Sequence, residues 1–227
     1  SVVNQSCKNF EYIIIDGGST DKSLNIIKKY EKKIDYWVSE KDNGIYDAFN
    51  KGMTISKGEF IGFINSDDIY KKDALNIISN YIEKNKVADF IFGSVKKHWG
   101  ILHRYKPHKI KYSWGFYSSH STGFFIKRKV AEKIGFYNIK YKYHADYDYF
   151  YRLIVKNKMK GISTKKNEIV GVFRRGGFSS KISFWKKLKE DIRIRYDNGQ
   201  NIFLLILIFS NKFLRNIDQI LKNIINK

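Results

Sequence analysis

The sequence is poor in cysteine: Cys7 is the only one among 227 residues. One cysteine excludes an internal disulfide bond and a zinc site built from several thiolates, and it is typical of proteins from reducing compartments. Residues 1–9 are polar apart from Val2 and Val3, so they lack the apolar core of a secretory signal. We therefore expect a cytoplasmic protein.

Long apolar runs and linkers are also lacking. The longest unbroken apolar run covers residues 202–209, far short of the roughly 20 residues that a membrane-spanning helix needs. With a single proline and no Gly/Ser-rich stretch, the chain offers no linker. We expect one α/β domain, residues 1–180, followed by a helical tail, residues 181–227, and no segment that crosses a bilayer.

Acidic residues are few. The chain has 22 Asp and Glu against 43 Lys and Arg, a formal net charge of +21. Such a charge attracts nucleic acid, an anionic membrane surface or phosphorylated substrates, and it does not choose among them. Hydrophobic residues make up 43% and aromatic residues 16% of the chain, which excludes a disordered chain and predicts a packed core.

The chain does contain short apolar runs that alternate with segments of helical periodicity. Strands are predicted at residues 12–15, 36–38, 60–64, 88–92 and 123–126, and helices at 45–53, 75–82, 127–134 and 145–155. This alternation predicts a Rossmann-like, mainly parallel sheet flanked by helices, with the polar stretch 96–119 as a long loop. Ligands of such sheets bind outside the carboxyl ends of the strands, so the residues that end strands are the candidate site.

The first strand end is Asp16-Gly17-Gly18-Ser19. A carboxylate there can accept hydrogen bonds from a base or ribose, while the backbone around Gly17 and Ser19 faces the negative charge of a nucleotide. Ser19 or Thr20 is expected to cap the following helix. The alternative is a strand-to-helix turn whose geometry Asp16 merely holds.

The second strand end is Asn65-Ser66-Asp67-Asp68. Adjacent carboxylates repel each other unless a cation lies between them, and Mg²⁺ or Mn²⁺ takes oxygen ligands and bridges to substrate phosphates. The alternative is that one aspartate caps a helix starting near Lys72 or Asp73 while the other is solvated.

Two acids begin the predicted helix at residues 145–155. Asp148 can pair with Arg152, four residues further along the same face of the helix. Asp146 points to a different side and lacks such a partner, so it is free to face a cleft. Asp146 is a candidate for a catalytic base or, alternatively, a helix cap.

Four segments together resemble glycosyltransferase family 2 in matching order. They are residues 10–21, 39–52, 58–68 and 145–148. The resemblance covers residues 1–180 and is greatest to bacterial enzymes of capsule, exopolysaccharide or lipopolysaccharide assembly. It implies a GT-A fold, a nucleotide-sugar donor, most simply a UDP-sugar, and inversion at the anomeric carbon.

The resemblance also assigns roles to individual positions. Asp146 matches the general base, Asp67 the metal-binding end of the family's Asp-x-Asp motif, and Asp68 a possible second ligand for Mn²⁺ or Mg²⁺. The positions that match donor contacts are Asp16, Gly17, Ser19, Asn43, Gly44, Asp67 and Arg174, the last of these opening the segment 174–177 over the donor.

Three departures from the family pattern bear on function. Gly17 replaces a second acid, so the uracil contact is expected to be weaker or made by the backbone. Asn65 replaces the first aspartate of the metal motif, leaving fewer charged ligands. The family's opening strand is expected to be missing, which makes a catalytically impaired, sugar-nucleotide-binding remnant one alternative. A basic nucleic-acid-binding protein is another, although it does not explain the acidic strand ends.

The tail mixes apolar residues with many Lys and Arg. A basic amphipathic helix on an anionic membrane is one interpretation, and a glycan or lipid-linked acceptor in cell-surface polysaccharide synthesis would suit that location. The other is a helix that packs its apolar face on the domain or on a second copy in a homodimer. We expect acceptor choice to lie in the tail and in residues 96–119.

Overall fold

The computed structural model describes residues 1–112, 121–174 and 182–217. In these ranges the strands are β1 Ile13–Asp16, β2 Tyr36–Ser39, β3 Phe60–Gly62, β4 Ile69–Tyr70, β5 Phe90–Phe92, β6 Ser94–Lys97, β7 Gly100–Leu102, β8 Phe124–Lys127, β9 Gly161–Ser163 and β10 Ile169–Val172. The helices are α1 Ser23–Lys29, α2 Ile45–Ile55, α3 Ala74–Lys84, α4 Lys109–Tyr112, α5 Arg128–Ile134, α6 Ala145–Tyr151, α7 Phe184–Asp197 and α8 Ile202–Arg215.

β1 and β2 pair in parallel, with Ile13 opposite Tyr36 and Asp16 opposite Ser39. Because parallel strands end at the same edge, the polar residues that end these two strands meet there. The Ser39 hydroxyl donates a 2.6 Å hydrogen bond to the Asp16 carboxylate. Nucleotide contacts were predicted in the segments that follow β1 and β2. The pairing of these two strands places the starts of both segments side by side.

The remaining strands form two four-stranded sheets, in the orders β3-β8-β5-β9 and β4-β10-β6-β7. The predicted α/β class with flanking helices is confirmed, but the pairings are mixed rather than mainly parallel. β1–β2, β5–β9 and β6–β10 are parallel, whereas β3–β8, β5–β8, β4–β10 and β6–β7 are antiparallel. An apolar run of a few residues looks the same in either direction, so the reversed direction of β8 leaves no mark in the sequence.

Aromatic side chains form the larger core. Phe92 of β5 and Phe124 of β8 are at most 1% exposed. The ring of Phe150, in α6, lies 5.3 Å from that of Phe92 and 4.8 Å from that of Phe124. Since an aromatic side chain buries roughly 150–250 Å², these contacts hold α6 firmly on the sheet and fix where its first turn lies.

Two local predictions need correction. The predicted loop is only partly correct, because β6 and β7 form an antiparallel hairpin and α4 follows after residues 103–108. Residues 113–119 lie outside the described part of the chain. The helix after β1 begins at Ser23, with Lys22 rather than Ser19 or Thr20 at its N-cap position. The Ser19 hydroxyl donates to Asp16 instead, which commits it to the turn.

α7 and α8 are joined through a buried charge cluster. Asp191 accepts from Arg195 at 3.1 Å and from Lys212 at 2.8 Å, and both cations are at most 6% exposed. Arg195 also donates to the backbone carbonyl of Lys111 in α4 and stacks over the ring of Tyr147 in α6. The division at residue 180 stays a prediction, but α7 packs on the same elements that carry Asp146.

None of the helices in the described part of the chain is long and apolar enough to span a bilayer.

Candidate active site

The turn after β1 is organised by Asp16. Its carboxylate accepts hydrogen bonds from the backbone N–H of Gly18 at 3.1 Å and of Ser19 at 2.9 Å, and from the hydroxyls of Ser19 and Ser39. Burial raises the pKa of Asp16, but these hydrogen bonds outweigh it and leave the pKa lowered. Gly18 adopts φ +83°, a conformation that favours glycine. The turn is therefore preformed around an ionised carboxylate.

The segment after β2 lies against this turn. The N–H of Glu40 donates to the carbonyl of Asp16, and the Asp42 carboxylate accepts the N–H of Gly44 at 2.8 Å. Asn43 donates both its backbone N–H and its side-chain amide to Asp47, in the first turn of α2. Asn43 and Gly44 thus form the entry to α2, next to the end of β1.

The segment that follows β3 contains two aspartates, Asp67 and Asp68, in different environments. Asp68 is 6% exposed and accepts hydrogen bonds from the hydroxyl of Thr122, the amide of Asn65 and the backbone N–H of Arg174. Burial raises the pKa of Asp68. Asp67 is half-buried, and no described residue donates a hydrogen bond to it. Neither of them caps α3, whose N-cap is Asp73, so that alternative is wrong.

The oxygen atoms at this strand end fit a hard divalent cation. The Asp67 carboxylate accepts no hydrogen bond from a described residue, and the Oδ1 atom of Asn65 is buried without a hydrogen-bond partner. Mg²⁺ is commonly held by one or two carboxylates together with substrate phosphates. Asp68 fits less well, because its oxygens already accept from three parts of the chain. Within the described ranges, no three His, Cys, Asp or Glu side chains cluster as a metal site.

Asp146 lies in the first turn of α6 and is half-buried. Its Oδ1 accepts from the N–H of Tyr147 at 2.8 Å and from the hydroxyl of Tyr46 at 3.2 Å. No described residue donates to Oδ2. Burial raises the pKa of Asp146, while the charge of His144 acts in the opposite direction. One oxygen is therefore held in place while the other is available, on a carboxylate more basic than an ordinary aspartate.

Asp148 faces the other way, as predicted. Arg152 donates to it at 2.9 Å, and the amide of Asn198 donates at 2.8 Å. Asp148 is 3% exposed, so its role in holding α6 and α7 together is structural.

Glu190 of α7 is a residue that the sequence analysis missed. Its carboxylate accepts the backbone N–H groups of Lys142 at 3.0 Å, Tyr143 at 2.6 Å and His144 at 2.7 Å. The Tyr46 hydroxyl shares its single hydrogen between Asp146 and the carbonyl of Tyr143, each at 3.2 Å. The residues that lead into α6 are thus held from two directions, which positions Asp146. No local pattern could have pointed to Glu190, because it lies more than forty residues away along the chain.

Lys97 was also missed, and it connects two parts of the site. Burial lowers its pKa, whereas the charges of Asp68 and Asp146 act to raise it. The same ammonium lies 4.4 Å from the centre of the Phe173 ring. The charges of Asp68, after β3, and of Asp146, at the start of α6, thus both act on this one cation. Arg174, the next residue, has an exposed side chain and a backbone N–H bound to Asp68, while residues 175–177 lie outside the described part.

The chain is similar to known glycosyltransferases in sequence and in fold. The chain is 27% identical over 211 residues to a PGL/p-HBAD biosynthesis glycosyltransferase of Mycobacterium bovis, covering 86% of this chain and 78% of that protein. Its fold matches S. aureus TarS with a TM-score of 0.69 at 16% identity, covering 93% of this chain and 39% of TarS.

Two further solved structures carry ligands. TarS 1–349 in complex with UDP-GlcNAc matches with a TM-score of 0.67 at 16% identity, covering 96% of this chain and 67% of that one. The mannosyltransferase PcManGT from Pyrobaculum calidifontis, in complex with GDP-Man and Mn²⁺, matches with a TM-score of 0.61 at 14% identity, covering 94% and 63%. At these identities the likeness shows the fold, which is of the GT-A type. Since the model of glycosyl transferase family 2 matches residues 1–144, the chain belongs to this family.

Proposed function

We propose that the chain is an inverting, metal-assisted glycosyltransferase that moves a sugar from a nucleoside diphosphate to an acceptor hydroxyl. The observation that carries the proposal is the environment of Asp146, whose Oδ1 is held by Tyr147 and Tyr46 while no described residue donates to Oδ2, and whose pKa is raised by burial. The ligands named for the neighbouring structures, UDP-GlcNAc in TarS and GDP-Man with Mn²⁺ in PcManGT, support a nucleotide-sugar donor.

In the proposed reaction the acceptor oxygen attacks the anomeric carbon from the face opposite the diphosphate. The bond between that carbon and the phosphate oxygen breaks, and the acceptor proton goes to Oδ2 of Asp146. A single displacement inverts the configuration and needs no covalent intermediate. A base works best when its pKa approaches the working pH, so the burial that raises the pKa of Asp146 favours this role.

Asp67 is the proposed ligand of a divalent cation, with the Asn65 amide oxygen as a neutral neighbour. When bound, Mn²⁺ or Mg²⁺ neutralises charge on the departing diphosphate. Lys97 and Arg174 supply further positive charge beside the same strand end. Donor contacts are assigned to the turn of Asp16, Gly17 and Ser19 and to Asn43 and Gly44.

The test is a thermal-shift measurement with UDP, GDP, UDP-sugars and GDP-sugars, each with and without Mn²⁺. At 100 times its dissociation constant a ligand stabilises the folded state by about 2.7 kcal/mol, which is roughly 5–10 °C for a chain of this size. We expect Asp67→Asn to lose the part of this shift that depends on Mn²⁺. Asp73→Asn, an exposed aspartate nearby, is the control and should keep it.

Mn²⁺-dependent transfer or hydrolysis of a nucleotide sugar distinguishes an enzyme from a binding remnant. A wild-type shift that is equal with and without Mn²⁺ contradicts the metal assignment. No shift with any nucleotide contradicts the proposal as a whole. Tight, salt-sensitive DNA binding without any nucleotide-sugar effect favours the nucleic-acid alternative.

We also propose that α8 lies on an anionic membrane surface, where a lipid-linked or glycan acceptor of cell-surface polysaccharide synthesis is found. The helix buries Leu205 and Ile208 against the protein. Its other side remains apolar and exposed, with Phe203 at 74%, Leu207 at 67% and Leu214 at 65%. The adjacent α7 has exposed Trp185, Lys186, Lys189 and Arg193. Apolar groups beside basic ones match an anionic interface.

A vesicle flotation assay tests this location. The protein is expected to float with phosphatidylglycerol vesicles at low salt, and Phe203→Ser with Leu207→Ser is expected to abolish flotation by removing the apolar contact. Ile26→Ser with Val87→Ser, two residues 57% and 76% exposed elsewhere on the surface, is the matched control and should still float. If the protein stays in the aqueous fraction and sediments as a dimer, the face is covered by a second copy.

A further inference from the structure

The nucleoside end of the proposed donor site has two carboxylates, Asp16 and Asp42. We propose that Asp42 determines nucleotide specificity, by accepting a hydrogen bond from the ring N–H of a uracil or guanine base, while Asp16 holds the turn. This inference rests on the proposed function, because it names the residue that selects the nucleotide of the same donor.

Asp16 is largely committed to holding the turn. An ionised carboxylate offers about four lone-pair sites. The two oxygens of Asp16 already accept hydrogen bonds from two backbone N–H groups and from the hydroxyls of Ser19 and Ser39. Three of these four donors bind Oδ2 and one binds Oδ1, so most of the acceptor capacity of Asp16 is used within the turn.

Asp42 has an available oxygen. Its Oδ1 accepts the N–H of Gly44, but no described residue donates to Oδ2. The charge of Asp42 acts on Lys51, but the ammonium of Lys51 pairs with Glu40 at 2.7 Å. A half-buried carboxylate oxygen without a donor is an acceptor for a ligand.

Gly17 makes room for this oxygen. A Cβ atom built on Gly17 would lie 2.5 Å from Oδ2 and 2.9 Å from Cγ of Asp42. Any side chain at position 17 therefore competes with the carboxylate for the same space. The acid that the sequence lacks at position 17 is supplied in space from the segment after β2, and the expected weakening of the base contact does not follow.

An ionised carboxylate can only accept hydrogen bonds, so it selects bases with a ring N–H group. Uracil N3 and guanine N1 carry a hydrogen and donate, whereas the corresponding cytosine and adenine nitrogens carry a lone pair and repel an anion. A hydrogen bond to a charged group is stronger than one between neutral groups. Asp42 thus fits UDP or GDP and disfavours CDP and ADP.

The experiment is a calorimetric titration of the whole chain with UDP, GDP, CDP and ADP in the presence of Mn²⁺. For the wild type we expect UDP or GDP to bind at least about 10-fold more tightly than CDP. In Asp42→Asn the affinity for the preferred nucleotide is expected to fall about 10- to 100-fold. The ratio of this affinity to that for CDP is expected to approach one. Gly17→Ala, which displaces the carboxylate, is expected to give the same loss of preference.

Asp21→Asn removes an exposed carboxylate beside the same turn and should leave the preference unchanged. If the wild type binds one nucleotide selectively and Asp42→Asn keeps both affinity and preference, the assignment of Asp42 is overturned while the proposed function stands. If the wild type binds none of the four, the proposed function fails first, and this inference fails with it.

Discussion

Asp146→Asn is expected to lower the rate of sugar transfer by about 10²–10⁴-fold, the usual contribution of a general base. Asparagine keeps the shape of the side chain and can still accept the N–H of Tyr147 and the hydroxyl of Tyr46, but it cannot take the acceptor proton. Donor binding does not involve this oxygen, so the affinity for a nucleoside diphosphate should stay within about twofold. Single-turnover transfer and calorimetric binding measure the two effects separately.

Asp148→Asn is the matched control, because it changes the same atoms two positions along α6. Asp148 pairs with Arg152 and Asn198, so its loss should lower the unfolding temperature while the rate per folded molecule stays close to that of the wild type. Retained transfer by Asp146→Asn, or a lost rate in folded Asp148→Asn, contradicts the assignment of the base.

The pH dependence of transfer gives a second check on Asp146. A general base must be ionised, and burial raises its pKa. The ratio kcat/KM is therefore expected to fall with decreasing pH over a range above that of an ordinary aspartate, whose pKa is about 3.9. A rate that stays constant down to that value contradicts a raised pKa.

Asp191→Ala is expected to lower the free energy of unfolding by about 3–5 kcal/mol, the usual cost of leaving a buried charge unpaired. The carboxylate is the shared partner of Arg195 and Lys212, whose side chains are 0% and 7% exposed. Without it the Arg195 guanidinium remains buried and has lost its carboxylate partner. Denaturant unfolding measures the change, and Lys212→Met, which keeps the Asp191–Arg195 pair, should cost clearly less.

The same cluster predicts how stability changes with pH. Burial lowers the pKa of Lys212 to about 7. Between pH 7 and the ordinary lysine pKa of about 10.4, the unfolded chain holds a proton that the folded chain has lost, so raising the pH favours the folded state. This increment should be absent from Lys212→Met. A mutant with the same pH slope as the wild type, or a harmless Asp191→Ala, contradicts the buried cluster.

Features that depend on neighbouring residues could be predicted from the sequence. The end of β1 was predicted from an apolar run stopped by Asp16 and two glycines. The pairing of Asp148 with Arg152 follows from helical spacing. The roles proposed for Asp67 and Asp146 came from resemblance to the family, and they await the measurements above.

The α/β class, the strand-end turns and the direction in which Asp148 points follow from the sequence, because they depend on hydrophobic period and on contacts within a few residues. The direction of β8, the hydrogen bonds that Glu190 accepts from the residues before α6, and the placement of Asp42 against Gly17 are visible only in the folded chain. These contacts join segments far apart along the chain. Their geometry depends on how the elements pack, which no local pattern of residues encodes.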